Sequence, residues 1–590
     1  MTLIAGSRRA LALTAGPALV THGRGRVGVV ICDAWGYDAL CARRSLRILG
    51  DRLAEAGYPS LRFDWPGTGD ALDVPGDADP LGLCDAALDE AIARLRRETR
   101  VEAVVLIGLG FGALLALRAA ERAPEPLAGL VLMAPLVKGR TWLRELQARA
   151  ALIGEITGAP PRPGSDDALE IAGLAMSTRL ADTMRAQDLS TLARPQAGPV
   201  LVMPRAGKTG EDRLAGRLAT EAGDATIPFE GYDEMMGDPT GSQPPELAFD
   251  RLIDWLSAAV PCGQGAGPEA RIVEAGELHL RGDAFRETPI LFGPQDRLFG
   301  VWCAPARAVP YARPVLLLNA GATPHVGWAR GNVEMARALA TRGVASLRMD
   351  AADIGDARPV PGRAEIVHYD AAQIADLASA LDVIGLRAGA SGGTVVVGAC
   401  SGAYLALNGA VADRRIAHVV AVNLQRFLWD PRDDVAAVLK FGHTSAQGYG
   451  RKLFEADKWR RVIAGKSDPL GIARNLALRA WRKGERALAP WLFGLSPFSR
   501  LYNEVHTNLW VLAQRDVRLD LLFSEGDPGL AQLRAFFGSG ARRMADYRNL
   551  AVTRIPDTDH NLTPRAARAQ VLEHVAAAAR ASVQAAQAAE

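Results

Sequence analysis

The chain has 590 residues, of which 49% are hydrophobic and 23% are charged. This composition excludes a disordered or fibrous chain and leaves enough apolar mass for a core in each of two large α/β domains. Because 68 Lys and Arg stand against 66 Asp and Glu, the net charge of +2 argues against a protein coated in positive charge for nucleic acid.

The cysteines and the N-terminal segment indicate the compartment. The pair Arg8-Arg9 and the apolar stretch after it resemble a twin-arginine signal, but Thr14, Gly16 and Pro17 interrupt that stretch. No apolar run reaches the roughly 18 residues that cross a bilayer. The six cysteines show no CxxC spacing, which argues against a disulfide framework and a zinc site: Cys32, Cys41, Cys84, Cys262, Cys303 and Cys400. We expect a cytoplasmic protein with no cofactor and no metal.

Two stretches resemble each other at a distance of nearly half the chain. LAEAGYPSLRFDWPGTGDA at 53–71 is matched by LATRGVASLRMDAADIGDA at 339–357. A second match follows in the same order, between VVLIGLGFGALLAL from Val104 and VVVGACSGAYLAL from Val395. The chain therefore contains two copies of one predicted fold.

The boundary between the copies is predicted where a helical pattern at 246–260 ends in the sequence PCGQGAGP. We place the first domain at 1–260, a linker at 261–270 and the second domain at 271–590. In each copy, short β-branched runs alternate with helical segments, as at 315–319 (VLLLN) and the helix that follows. This alternation predicts a mainly parallel sheet flanked by helices on both faces.

The loop after the VLLLN strand is a candidate oxyanion site. A backbone N–H of Gly321 or Ala322 is expected to donate to a negatively charged oxygen there. His325 lies in the same loop. Two interpretations are open for it: a contact with the substrate, or a loop histidine without a role.

A nucleophile is predicted where the strand from Thr394 meets the next helix, in the sequence GACSG at 398–402. A G-x-C-x-G pattern at such a junction is a nucleophile elbow with Cys in place of Ser, and its small residues let strand and helix pass closely. Alternatively, Cys400 is a buried small apolar residue among chance glycines. Ser401 stands one place too late for the apex of the turn. We therefore predict Cys400 as the nucleophile and the Ser401 N–H as an oxyanion donor.

A lid is predicted at about 425–506, where the second copy carries a long insertion. From 440 to 500 it holds thirteen Lys and Arg against four acidic residues. The interspersed basic residues, Arg479 and Lys483 among them, are typical of a solvated helix face. They also fit a cap for an anionic substrate, such as coenzyme A, the arm of an acyl carrier protein or an anionic saccharide, or a helix on an anionic membrane surface.

Two later strand ends provide the partners of the nucleophile. Asp527 follows a strand-like run at 519–523, and His560 follows another at 552–555. Considered in isolation, each of these two residues is an ordinary turn or surface residue. The order nucleophile, acid, histidine, with each residue after a strand, predicts a catalytic triad with Cys400. In it, His560 takes the thiol proton and Asp527 orients the imidazole.

Both copies resemble the α/β-hydrolase superfamily, and more narrowly its serine-aminopeptidase-like branch with the hydrolases of exosortase loci. The resemblance rests on LRFDWPGTGD in the first copy and on the NAG loop, SEGDPG and DHNLTP in the second. It implies two tandem α/β-hydrolase domains. Cys400 departs from the branch, where Ser is usual, and is similar to the Cys of dienelactone hydrolases and polyhydroxyalkanoate synthases.

The first copy lacks the side chains of a triad. Gly110 stands at the nucleophile position of its GLGFG sequence, and Glu234 stands where the histidine belongs. The only histidine before the linker is His22, far from the end of the copy. We predict a catalytically degenerate domain that stabilises the protein, shapes a cleft or docks a partner.

Three functions are compatible with these residues. The first is a Cys-dependent enzyme that forms an S-acyl intermediate from an ester or thioester and hydrolyses or transfers it. The second is a dedicated acyltransferase, because amines and thiols attack a thioester well. The third is a non-catalytic scaffold that binds a carrier protein. We expect the substrate to be an acyl ester or thioester, with coenzyme A or an acyl carrier protein as a candidate carrier of the acyl group. We expect no binding of nucleic acid.

Overall fold

The computed structural model describes residues 6–157, 168–263, 280–363, 369–389, 392–430, 432–433, 481, 484–485 and 488–589. Its strands, β1 to β19 in chain order, are Arg8–Ala12, Pro17–Thr21, Val27–Cys32, Ser60–Phe63, Ala103–Leu109, Gly129–Met133, Ala168–Ile171, Leu174–Ser177, Val200–Met203, Ala225–Thr226, Leu280–Arg281, Phe285–Phe292, Leu298–Pro305, Val315–Leu317, Ser346–Asp350, Thr394–Ala399, Ile416–Val422, Arg518–Ser524 and Leu550–Ile555.

The α-helices of the same ranges, α1 to α14, are Tyr37–Glu55, Pro80–Thr99, Phe111–Arg122, Gly139–Thr157, Thr178–Arg185, Thr209–Leu218, Tyr232–Met236, Glu246–Ala259, Gly331–Thr341, Ala371–Ala388, Ser401–Ala412, Pro497–Gln514, Gly529–Phe537 and Arg565–Ala589. None of these helices has the length and apolar character needed to cross a bilayer.

The chain packs into two compact units. The first comprises Met1–Ala151, Pro161–Ala308 and Ala322–Ile366, and the second comprises Leu152–Pro160, Val309–Gly321 and Val367–Glu590. The N-terminal part of the second copy thus belongs to the first unit. The domain boundaries at 260 and 271 stay a prediction.

An eight-stranded sheet forms the centre of the first unit, in the order β1-β2-β4-β3-β5-β6-β9-β10. In this sheet β4, β3, β5, β6, β9 and β10 pair parallel, whereas β2 pairs antiparallel with both β1 and β4. Strands β3, β5 and β6 are almost completely buried apolar runs. Continuous apolar strands are typical of a parallel sheet covered on both faces, as predicted.

The second copy contributes strands to both units. In the first unit, β11, β12, β13 and β15 pair antiparallel. In the second unit, β14, β16, β17, β18 and β19 pair in that order, all parallel. Helices α11 and α14 pack on β16 and β17. Parallel strands bring their carboxyl ends to one edge of a sheet, which is where the predicted triad residues stand.

The two repeated motifs build the same turn. The Asp70 N–H donates to Asp64 Oδ2 at 2.9 Å, and the Asp356 N–H donates to Asp350 Oδ2 at 2.9 Å. A Cβ at Gly69 would lie 2.3 Å from the Asp64 carboxylate, and a Cβ at the matching glycine of the second copy would lie 2.3 Å from Asp350. Each motif therefore needs glycine where its carboxylate folds back.

The motifs also pair with each other inside the first unit. Arg62 Nη1 of the first motif donates to Asp356 Oδ1 of the second at 2.7 Å. In return, Arg348 Nε of the second motif donates to Asp70 Oδ1 of the first at 2.8 Å. Arg348 and both aspartates are at most 1% exposed. These reciprocal buried ion pairs hold the two motifs together, and removing one partner would leave a buried charge uncompensated.

Candidate active site

The predicted elbow is present at the start of α11. Cys400 has φ 55° and ψ −117°, a backbone conformation that costs free energy for any residue with a Cβ. Its N–H donates to the Val422 carbonyl of β17 at 3.0 Å, which fixes the turn to the neighbouring strand. A Cβ at Gly398 would lie 2.1 Å from the Gly402 carbonyl oxygen, and one at Gly402 would lie 2.2 Å from the Asn319 carbonyl oxygen. Both glycines are thus required by close backbone contacts.

The acid and the base form a buried pair. His560 Nδ1 lies 2.6 Å from Asp527 Oδ2, and the other carboxylate oxygen accepts the Gly529 N–H at 2.7 Å. The Asp527 side chain is 0% exposed and the His560 side chain 7% exposed. A carboxylate at Nδ1 holds the proton on that nitrogen and fixes the ring, which leaves Nε2 as the atom that can exchange a proton.

Hydrogen bonding also determines the charge of the imidazole. Burial disfavours the charged ring, but hydrogen bonds with Asp527 and with the Cys400 thiol outweigh it and raise the pKa of His560 to about 10. The same hydrogen bond places the thiol beside the imidazole. A histidine that is protonated at neutral pH stabilises a neighbouring thiolate, which is the nucleophilic form of cysteine.

Asn423 supports the base, and the sequence patterns did not indicate it. Its Nδ2 donates to the His560 carbonyl at 2.8 Å and to Ser524 Oγ at 2.9 Å, while its Oδ1 accepts the Ser524 N–H at 2.7 Å. Ser524 Oγ donates in turn to the Asp559 carbonyl at 2.8 Å. This amide therefore ties the ends of β17 and β18 to the histidine loop. A polar residue directly after the buried run of β17 is the signal that could have found it.

Two of the predicted oxyanion residues, Ser401 and Gly321, are hydrogen-bonded to each other. Ser401 is the first residue of α11, where an N–H has no helical carbonyl to bond. The Gly321 N–H donates to Ser401 Oγ at 3.0 Å. Ala322, the alternative, is 5% exposed. The serine hydroxyl thus accepts the Gly321 N–H in the resting protein, and the oxyanion roles of Ser401, Gly321 and Ala322 stay predictions.

His325 is not placed to contact a substrate, which corrects the expectation for that residue. It is 0% exposed in the first unit, with Nδ1 2.7 Å from Asp350 Oδ2 and Nε2 2.6 Å from Asp70 Oδ2. Burial lowers the pKa of His325, but the two carboxylates outweigh it and raise the pKa to about 10. The ring is thus a cation shared between the two repeated motifs.

The lid residues Arg479 and Lys483 lie outside the described residues, as does all of 434–480. Near its C-terminal end, Glu485 is 7% exposed and its Oε1 accepts the Phe498 N–H at 2.8 Å, at the start of α12. The lid itself stays a prediction.

The first copy keeps the elbow without its side chain. Gly110 has φ 56° and ψ −108°, and its N–H donates to the Met133 carbonyl at 2.9 Å. A Cβ at Gly110 would meet no atom within 4 Å. The space beside it is part of a cavity of about 310 Å³, lined among others by Trp142 and Tyr232. Glu234, at the expected base position, is exposed.

Comparison with known families agrees with this architecture. Residues 41–160 match the family described as serine aminopeptidase, S33, and residues 315–573 match the alpha/beta hydrolase family. Each match lies in a different copy, and together they define the class as the α/β-hydrolase fold. The chain is a tandem α/β-hydrolase protein, as the repeats predict. A comparison with curated protein sequences finds no match.

Several solved structures resemble parts of the chain. Est1E from Butyrivibrio proteoclasticus with bound ferulic acid is 14% identical, over 43% of this chain and 99% of that one, with a TM-score of 0.32. A monoacylglycerol lipase from Paleococcus ferrophilus is 21% identical, over 41% and 99%, with a TM-score of 0.30. VinJ is 16% identical, over 44% and 100%, with a TM-score of 0.32.

Proposed function

We propose that the protein is a Cys-dependent hydrolase that acts on an ester or thioester through an S-acyl intermediate. The observation that carries the proposal is the buried pair of His560 and Asp527 beside the Cys400 thiol, at a strained turn that begins a helix. An inert buried cysteine needs neither a charged partner nor a strained backbone. The three residues also stand in the order expected of a triad.

In the proposed reaction, the Cys400 thiolate attacks the acyl carbon and His560 holds the proton taken from the thiol. The carbon–sulfur bond forms as the carbonyl π electrons move to oxygen, which gives a tetrahedral oxyanion near the Ser401 N–H. When the oxyanion collapses, the leaving alcohol or thiol takes the proton from His560. A water molecule then attacks the acyl group, gives its proton to His560 and releases the acid together with the free thiol.

The first copy contributes no second centre of this kind. Its apex residue Gly110 has no side chain, and the matching Glu234 is exposed. The ion pairs between the repeated motifs support a structural role for this copy instead. Any acyl chemistry is therefore assigned to the second copy alone.

Intact-mass spectrometry tests the proposal. We expect incubation with p-nitrophenyl acetate or an acyl-coenzyme A to add one acyl group, and Cys400→Ala to abolish this addition. Ser401→Ala is the matched control at the next position, and it should still be acylated. An acyl adduct on Cys400→Ala that turns over at the wild-type rate would disprove the assignment.

The same assay identifies the acceptor and the carrier of the acyl group. Loss of the adduct in water alone indicates hydrolysis, whereas loss only after addition of an amine or a thiol indicates acyl transfer. A folded protein that no ester or thioester acylates would support the scaffold alternative. Recognition of coenzyme A or an acyl carrier protein by the basic lid belongs to this proposal.

A further inference from the structure

The Tyr369 hydroxyl is a buried donor without a partner in the described part of the chain. Tyr369 is 7% exposed, and its hydroxyl oxygen makes no hydrogen bond with any described group. The Tyr369 ring is stacked on the Trp429 ring, with 4.6 Å between the ring centroids, and lies edge-on to the Tyr404 ring, with 4.9 Å between the centroids. Buried polar groups in folded proteins are nearly always paired, and an unpaired one costs free energy. The unpaired hydroxyl therefore either destabilises the folded protein without a benefit or binds a partner that is present only during the reaction.

The position of this hydroxyl favours the second interpretation. Tyr404, which the ring touches, lies in the first turn of α11, and its N–H donates to the Cys400 carbonyl at 3.4 Å. Burial raises the pKa of Tyr369, and the neighbouring Cys400 is the next largest cause of that rise. Tyr369 thus adjoins the elbow from the same unit of the protein.

We propose that the Tyr369 hydroxyl donates a hydrogen bond to the oxyanion that forms when Cys400 attacks an acyl carbon. The inference rests on the proposed function of Cys400. The Tyr369 hydroxyl makes no hydrogen bond to the Cys400 sulfur. The oxyanion is bonded to the attacked carbon, which separates it from the sulfur. The Gly321 N–H, which was expected to provide the second donor, is bonded to Ser401 Oγ. Tyr369 supplies a further donor beside the Ser401 N–H.

The reason for an unpaired hydroxyl follows from how catalysis works. A donor that is held rigidly and has no partner among the described residues gains a hydrogen bond when negative charge develops on a substrate oxygen. The stacked Trp429 ring and the edge-on Tyr404 ring keep the Tyr369 ring in place, so little reorganisation is needed when the oxyanion forms. The cost to the folded protein is thus offset in the transition state.

The test is Tyr369→Phe in the full chain, which keeps the stacked ring and removes only the hydroxyl. We expect the rate of acylation by p-nitrophenyl acetate to fall about tenfold or more, as is typical for loss of a hydrogen bond to a charged group. Alkylation of Cys400 by iodoacetamide should keep its wild-type rate and pH profile, because displacement of iodide forms no oxyanion. Peptide mass spectrometry follows Cys400, with the other five cysteines as internal references.

Tyr404→Phe is the matched control. The Tyr404 hydroxyl has a hydrogen bond with the Trp429 backbone, so its loss should lower the melting temperature while acylation stays within about threefold of wild type. Tyr369→Phe should melt no lower than the wild type, because it loses an unpaired group. Acylation of Tyr369→Phe within threefold of wild type, or an equal fall in acylation and alkylation, would overturn the proposal. Wild-type acylation without Cys400 would instead overturn the proposed function.

Discussion

Replacing His325 by Gln separates a structural role of this histidine from a role in substrate binding. In the native protein the ring is 0% exposed and lies between the carboxylates of Asp350 and Asp70, 2.7 and 2.6 Å from its two nitrogens. Gln keeps a polar side chain but brings no positive charge to two buried carboxylates. Removing one partner of a buried ion pair typically costs about 3–5 kcal/mol. We expect a loss of that size in the free energy of unfolding of the first unit.

The pH dependence gives the prediction a sign. The pKa of His325 is raised by the carboxylates from the model-peptide value of 6.5 to about 10 in the folded protein. A raised pKa means that the folded state binds the proton more tightly than the unfolded state does. The stabilisation is therefore complete below pH 6.5 and is lost as the pH rises towards 10. His325→Gln should lose less stability over this range than the wild type does.

Urea denaturation at several pH values measures both effects, with acylation of Cys400 per folded molecule as the second readout. We expect the variant to be less stable but to be acylated at the wild-type rate at low temperature. The stabilities of wild type and variant should converge at alkaline pH. An unchanged unfolding midpoint combined with a raised KM for the ester would refute the structural role and restore a substrate contact for His325.

Three further predictions concern the triad, the first copy and the lid. Asp527→Asn should lower the acylation rate about a hundredfold or more with little change in substrate affinity, because the imidazole loses its orienting carboxylate; a stopped-flow burst assay measures it. Gly110→Ala and Glu234→Gln should change kcat by less than about threefold, although Ala at φ 56° should lower the melting temperature. Raising the salt from roughly 0.02 to 0.5 M should lower kcat/KM for an acyl-coenzyme A but not for a neutral ester, and charge reversal at Arg479 and Lys483 should weaken that dependence.

The parts of the site that the sequence predicts are those that follow from local chain order. Cys400, Asp527 and His560 each lie beyond the C-terminal end of a strand, β16, β18 and β19 respectively, and parallel strands end at one edge of the sheet. Local pattern and topology together therefore predict that all three lie near one another, and the structure brings His560 Nδ1 and Asp527 Oδ2 to 2.6 Å. Asn423 could not be predicted in this way, because its amide bonds the backbone of Ser524 and His560, which approach it only in the folded chain.

His325 could not be predicted for a related reason. Its partner Asp70 is 255 positions away in the chain. The repeats nevertheless contain a signal, since the motif with Asp64 and Asp70 occurs in the copy that has no triad. A motif shared by the copies with and without a triad is not needed for triad chemistry. Its aspartates instead build a turn in each copy and bind the arginine of the other motif.

The two elbows form an internal comparison of what the strained turn is for. Gly110 and Cys400 have nearly the same backbone conformation, with φ 56° and 55°, and the N–H of each donates to the following strand. Glycine adopts this conformation without a steric cost, whereas a residue with a Cβ is destabilised there by about 1–3 kcal/mol. The first copy relieves the strain because it needs no side chain at the apex. The second copy keeps the strain at Cys400, whose thiol is hydrogen-bonded to His560, and the proposed nucleophilic role of that thiol accounts for the cost.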